Sequence, residues 1–450
     1  MLLPRILIFG QPFNKKYGGG ITLTNLFKGW DKNRIAVAAT GHVMTDVTTD
    51  VCDTYYQLGV EEFKWRFPFN LFQKKFPSGI ISFNDKLSES PRPVKKGRRR
   101  FFVTKVFYPA LEWMGLYHSS STYLLSDNFK EWLKIFKPDV LYLQISSYDT
   151  ILFAHKLHDF LGIPIVMHMM DDWPSTISRT GPFKKFWSKR IDREIKRLLD
   201  KTDLCLSISE AMSAEYLRRY GKAFKPYHNP IDISNWNPYL KTDFTLQEDW
   251  VKILFSGRVG TGITSSLIEI SDAINELNHK GIRSKLYIQS PSVNNDLVKR
   301  LSSSSNVIIN PVARYSDLPA IYSNADILVI ANNFDKASIS FLKYSMPTKA
   351  SEFMISGTPI LVYSHGDTAV SKFFSENECG HCVTEHSITK LVDGFFEMIS
   401  NENYRKELSR KAVNIASQQF DINKVRHEFQ EDIVKITVSG DSHHDESGIF

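Results

Sequence analysis

The chain has 450 residues, more than one ordinary core accommodates, so two or three domains are expected. Its 42% hydrophobic and 23% charged residues are normal for a soluble globular protein and exclude wholesale disorder. Lys and Arg number 56 against 49 Asp and Glu, a net +7 that is small for a nucleic-acid binder but suits anionic ligands or an anionic membrane face.

At the start, Met1-Leu-Leu-Pro-Arg-Ile-Leu-Ile-Phe-Gly10 has an apolar run only a strand long, with no charged leader and no small-residue cleavage site, so it reads as a strand and not a signal peptide. Strands follow at Arg5–Phe9, Ile35–Ala39, Val140–Gln144, Ile163–His168 and Leu204–Ile208, alternating with helices such as Ile21–Trp30, Leu152–Leu161 and Lys184–Leu199. Residues 63–123 fit this series poorly. They hold Phe63-Lys-Trp-Arg-Phe-Pro-Phe69, Lys95-Lys-Gly-Arg-Arg-Arg-Phe-Phe102 and an aromatic stretch from Phe107 to Tyr117. Cations beside aromatic rings suit an anionic lipid surface; a solvated basic turn before a packed helix is the plainer reading.

Asn229-Pro-Ile-Asp232 interrupts the pattern, and a polar connector runs to about Trp250. A second series of strands then covers Lys252–Ser256, Lys285–Gln289, Val307–Ile309, Ile327–Ile330 and Ile360–Val362, with helices near Ser265–Leu277, Leu318–Tyr322, Thr348–Ile355 and Val370–Ser375. Alternation of this kind predicts α/β architecture: two doubly wound parallel domains that bind ligands at the carboxyl ends of their strands and face each other across a cleft. The expected division is 1–235 for the first domain, with 63–123 as an insertion, and 236–402 for the second. The tail 437–450 is expected to be disordered. No run of 18 uncharged apolar residues occurs, and Cys52, Cys205, Cys379 and Cys382 are too few and scattered for a disulfide framework, which points to the cytoplasm.

Five motifs carry candidate chemistry. Gly18-Gly19-Gly20 follows the first strand, where glycines permit positive φ and let a backbone close on a phosphate or sugar. The spacing is not Gly-x-Gly-x-x-Gly and no acid caps the second strand, so a dinucleotide fingerprint is absent. Asp171-Asp172 ends a strand, where paired acids serve a metal, a sugar hydroxyl or a helix cap; without the residue between them that Asp-x-Asp requires, a cation site is disfavoured. His168, among apolar neighbours, reads as a core histidine. Ser256-Gly257-Arg258 ends the first strand of the second domain, placing a guanidinium fork where a diphosphate would lie. In Ser345-Met-Pro-Thr348-Lys349-Ala-Ser-Glu352, a loop enters a short helix with Glu352 expected in its second turn; Gly357 ends that helix. The helix N-terminus suits a phosphate and the carboxylate suits sugar hydroxyls. Cys379-Gly-His-Cys382 spells a dithiol motif without a thioredoxin-like context, and reads as coincidence.

In this order, over about residues 4–435, these motifs together with Ser207-Ile-Ser209-Glu-Ala-Met212 and Asn229-Pro-Ile-Asp232 resemble the retaining glycosyltransferases of the GT-B fold, family four. The resemblance implies two Rossmann-like domains, with the last helices (403–436) returning to the first. It also implies a donor of the UDP- or GDP-sugar type, with Glu352 on the ribose hydroxyls. Arg258, Ser345, Thr348 and Lys349 would lie at the diphosphate, and Gly18, Gly19 and Gly20 would close over it. Asp171 and Asp172 would lie near a glycan or lipid-linked acceptor. No metal and no other cofactor is implied. The implied setting is cell-surface polysaccharide synthesis in the cytoplasm, peripheral at the inner membrane face through Lys95–Phe102. The chain departs from the family at Tyr344, which occupies the place of the first of two glutamates, and in lacking a lysine after Arg258. These departures leave two rivals: a GT-B shell serving as scaffold or partner in a polysaccharide assembly complex, and a sugar-nucleotide epimerase of the same fold.

Overall fold

A computed structural model describes residues 3–15, 18–44, 46–71, 73–81, 106–176, 181–246, 250–290, 295–301, 304–311 and 313–444. The basic stretch Lys95–Phe102 and the tail beyond 444 lie outside the described residues. Contacts divide the chain into two compact units.

The first unit comprises Met1–Ser207, Ser213–Pro226 and His427–Phe450. Its strands are β1 (Ile6–Phe9), β2 (Ile35–Thr40), β3 (Thr54–Leu58), β4 (Phe63–Trp65), β5 (Gly79–Ile80), β6 (Ser121–Tyr123), β7 (Val140–Leu143), β8 (Ile165–Met169), β9 (Leu204–Ser207) and β10 (Lys225–Pro226). One sheet runs β10-β9-β8-β7-β1-β2-β3-β5, parallel except that β5 opposes β3; β4 and β6 form a separate antiparallel ribbon. Strands β1 and β7 are sealed along their whole length, which is why both read as unbroken apolar runs. Rings from strand and helix close the core, with Phe27 5.1 Å from Phe429 and 5.3 Å from Tyr142.

The second unit comprises Ile208–Met212 and Tyr227–Arg426. Its strands are β11 (Val251–Ser256), β12 (Ser284–Gln289), β13 (Val307–Asn310), β14 (Ile327–Ala331), β15 (Ile360–Tyr363) and β16 (His381–Val383), all parallel in the order β13-β12-β11-β14-β15-β16. Two clusters cover the sheet, one built on Leu267, Ile270, Ile274 and Phe395, the other on Tyr322, Phe353, Met354 and Phe420. Chain order reverses between β11 and β14, the position where open parallel sheets take ligands.

Both expected doubly wound sheets are present. Several details differ. The glycines at 18–20 are not a loop but the first turn of the helix Gly18–Phe27, and none has positive φ. Gly20 is there for close approach: a Cβ on it would sit 1.8 Å from Asn14 Nδ2. The segment taken as a connector from 230 belongs to the second unit, because Ile231 and Trp236 are buried and Ile231 exchanges backbone hydrogen bonds with Phe420 and Ile422. The helix Glu402–Gln419 packs its small Ala412 and Ala416 into the second unit's core beside the helix Lys349–Ile355, so it does not return to the first domain. Only from His427 does the helix Ile422–His444 belong to the first unit, where Lys225 pairs with Asp432 at 2.5 Å. Residues 437–444, expected in a disordered tail, are the end of that helix.

Candidate donor site

Three segments of the second unit meet at the reversal point. After β11, the turn Gly257–Ile263 leads into the helix Thr264–His279. It is pinned to the end of β14, where Asn333 N donates to Gly262 O (2.7 Å) and Asn333 Oδ1 accepts from Ser266 N (3.0 Å). Gly257 N donates to Gln289 O at the end of β12 (3.0 Å). Arg258, in this turn, is exposed and has no hydrogen-bond or ion-pair partner among the described residues. A structural ion pair, the plain reading of that arginine, is therefore not what holds it.

The helix Lys349–Ile355 approaches the same place from the other side of β11. Lys349 Nζ donates to the Tyr322 hydroxyl (2.9 Å) and to Ser256 Oγ (3.3 Å), the last residue of β11. Both acceptors are neutral, and burial pushes the Tyr322 hydroxyl far above the usual phenol range, so it stays so. Lys349 is thus directed at the strand end that carries Gly257 and Arg258. One residue earlier, Thr348 caps the helix without a side-chain capping bond.

Glu352 falls in the first turn of that helix, not the second, and is 4% exposed. Its Oε2 is shut off from solvent and has no hydrogen-bond partner. Burial pushes its carboxyl above the usual carboxylate range, against the pull of Lys349 and of the nearby Tyr315 hydroxyl. A buried carboxylate oxygen with no donor costs about 1–3 kcal/mol or more.

The remaining motifs of this unit support that helix and its loop. Ser209 Oγ donates to Tyr344 O (2.6 Å), Asn229 Nδ2 to Thr348 O (3.2 Å), and Ser351 Oγ to Asn229 O (3.0 Å). Ser345, two residues before Pro347, is half-buried and its backbone N donates to Leu342 O. Gly357, with φ +75°, ends the helix as expected. Lys343 lies over the Tyr344 ring, while Lys349 reaches the strand end and bonds Ser256 of β11.

In the first unit the two adjacent acids separate. Asp171 is exposed. Asp172 is 2% exposed, and its oxygens are fully engaged. Arg219 donates from Nη1 to Oδ1 (2.9 Å) and from Nη2 to Oδ2 (3.0 Å), Tyr216 donates to Oδ1 (3.0 Å), and Ser175 Oγ to Oδ2 (2.6 Å). With its lone pairs taken within the first unit, Asp172 is held as an anchor of the surrounding side chains. His168 is the core histidine it reads as: it meets the Tyr142 hydroxyl at 2.5 Å, and burial lowers its pKa to about 3. Cys379 is buried in front of β16, which contains Cys382, and burial raises its thiol to about 12. Among the described residues, no cluster of three or more His, Cys, Asp or Glu could hold a metal ion.

Sequence reasoning missed Tyr315 and Tyr322, because a tyrosine in an apolar stretch carries no signal of where its hydroxyl points. It likewise missed Asn332 and Asn333, although polar residues directly after a buried strand were a usable sign.

No known sequence family matches the chain, and no curated protein matches it by sequence. Solved structures do. Sucrose-phosphate synthase from Thermosynechococcus elongatus superposes with a TM-score of 0.61 at 12% identity, over 96% of this chain and 99% of that one. Anabaena HepE in complex with UDP and glucose gives 0.60 at 12% identity, over 96% and 100%. Trehalose-6-phosphate synthase from Burkholderia multivorans gives 0.59 at 11% identity, over 98% of each. The fold is GT-B. At these identities the likeness extends to the fold alone, and the chemistry rests on the residues described above.

Proposed function

We propose that the chain is a glycosyltransferase that moves a sugar from a nucleotide diphosphate sugar to a glycan or lipid-linked acceptor, with retention, in cell-surface polysaccharide synthesis. The observation that carries this reading is the partnerless buried oxygen of Glu352, one helical turn from Lys349 and beside the strand end that bears Arg258. In this reading the ribose hydroxyls donate to Glu352. Lys349 and Arg258, with the backbone at Ser345 and Thr348, take the diphosphate, whose charge grows as the sugar departs. Lys349 thereby stands in for the lysine absent after Arg258. Gly18 and Gly19 are the first-unit glycines assigned to the ligand, Gly20 lying against Asn14; the exposed Asp171 is the acid assigned to the neighbourhood of an acceptor. Uridine is the first base to test, since HepE was solved with UDP.

The acceptor reading adds attachment to the inner membrane face through Lys95–Phe102. None of the described helices is long and apolar enough to cross a membrane. A scaffold role is the second reading, favoured by Tyr344 in the place of the first glutamate and by the absence of a lysine after Arg258.

Thermal melting with UDP, GDP and their sugars decides between them. A ligand at a hundred times its Kd stabilises by about 2.7 kcal/mol. Stabilisation by one nucleotide, lost in Glu352→Ala, together with release of that nucleotide from its sugar when acceptor is supplied, supports the transferase. Binding of neither nucleotide, as expected of a degenerate shell, leaves the scaffold and removes the transferase.

A further inference from the structure

The first unit carries an apolar surface that neither sheet nor donor chemistry explains. The helix Tyr108–Trp113 ends with Trp113 and Met114 exposed, at 57% and 40%. The helix Lys184–Asp200 begins beside it with Phe183 and Phe186 exposed, at 50% and 53%. The two segments are 70 residues apart in the chain and in direct contact in space. Trp187 Nε1 donates to Gly115 O (2.7 Å), and a Cβ on Gly181 would lie 2.1 Å from Trp113 O. A Cβ on Gly115 would lie 2.7 Å from Phe183 Cβ. Gly181 thus lets its backbone touch that of Trp113, and Gly115 makes room for the Phe183 side chain, so the two exposed apolar pairs lie on adjoining segments.

Charge surrounds that face. Lys184, Lys185 and Lys189 are exposed and have no carboxylate partner among the described residues. Arg190 lies over the Phe186 and Tyr148 rings and donates to the Tyr148 hydroxyl. Glu112 is the acid on the neighbouring helix, and it is half-buried. The helix Lys184–Asp200 holds seven Lys and Arg against three Asp and Glu. Exposed Trp and Phe with unpaired lysines beside them are matched by a surface that is apolar beneath and anionic on top.

We infer that Trp113, Met114, Phe183 and Phe186, with Lys184, Lys185 and Lys189, dock the first unit on an anionic lipid bilayer. The rings enter the level between head groups and acyl chains, and the lysines meet the lipid phosphates. Each lysine near such a surface raises partition by about fivefold. The inference does not rest on sugar transfer, because vesicle binding is read without donor or acceptor.

Flotation of the full chain with phosphatidylcholine vesicles, with and without phosphatidylglycerol, tests it. Retention is expected on the anionic vesicles only, falling at high salt. Phe183→Ala/Phe186→Ala and Lys184→Glu/Lys185→Glu/Lys189→Glu should each reduce partition by at least about tenfold. Both should leave the melting temperature and nucleotide-induced stabilisation unchanged, since the altered side chains are exposed. Brominated lipid should quench tryptophan fluorescence in the bound wild type, and less so in Trp113→Phe. Absence of wild-type retention, equal retention on neutral vesicles, or full retention of both variants overturns the inference. So does a dimer in sedimentation that Phe183→Ala/Phe186→Ala dissociates, which would make this face a protein interface.

Discussion

Asp172 and Glu352 are both carboxylates sealed inside their units, at 2% and 4% exposure, yet they differ in what surrounds them. Asp172 accepts from a guanidinium fork, a phenol and a serine. Glu352 has one oxygen that nothing in the protein satisfies. A buried acid with all its donors is accounted for by the fold; a buried acid short of a donor is not, and the proposed donor site supplies an account. In sequence Asp172 looked functional from its strand end and Glu352 from its short helix, and neither placement separates them. Counting donors does.

The widest separation should come from Asp172→Ala. It takes the bidentate acid from the Arg219 guanidinium in a largely enclosed site, leaving only Glu215 as its carboxylate partner, and denaturant unfolding should record a loss of about 3 kcal/mol. Nucleotide affinity of the remaining folded protein should be unchanged; a selective loss of turnover without destabilisation would support a catalytic role for Asp172. Arg258→Ala should behave oppositely, with unaltered unfolding and a transition-state loss of about 2–4 kcal/mol in kcat/KM. Near-wild-type turnover there would count heavily against the donor-site assignment. Glu352→Gln should weaken nucleotide binding by about 1–3 kcal/mol in calorimetry while leaving the empty protein no less stable, because a neutral amide is cheaper to bury.

The smallest effect lies in pH. Burial raises the Glu352 carboxyl, so its contribution to stability is full below the ordinary carboxylate range and is lost as pH rises through its raised value. Arg218 and Arg219 hold Glu215, next to the Asp172 cluster, down at about 2. Its contribution is full above the ordinary carboxylate value and is lost as pH falls toward 2. Stability profiles across pH should therefore lose the fall that begins above the ordinary carboxylate range in Glu352→Gln and part of their acid slope in Glu215→Gln. Identical profiles in the two variants would erase the contrast between the sites.

Much of this was legible in the residues. Buried parallel strands such as Ile6–Phe9 and Ile360–Tyr363 are continuous apolar runs, so both sheets could be read directly. Strand β3, Thr-Tyr-Tyr-Gln-Leu, lacks such a run, and β16 is hidden in the Cys-Gly-His-Cys stretch; neither was found. The glycine triplet was read as a loop because three glycines weaken a helix, whereas Gly20 is fixed by the nearness of Asn14. The helix with Lys349 and Glu352 was visible from its cap and its Gly357 stop. The role of Asp172 was not, since its partner Arg219 lies 47 residues on and only the fold brings them together.

The lone pair left over on Glu352 sets a rule of selection. In the proposed site, a ribonucleotide brings the missing donors in its vicinal diol, and part of its affinity is relief of a cost the empty protein already bears. A 2′-deoxy sugar removes one of those donors, so discrimination against the deoxy series would arise from a single oxygen rather than from a steric wall.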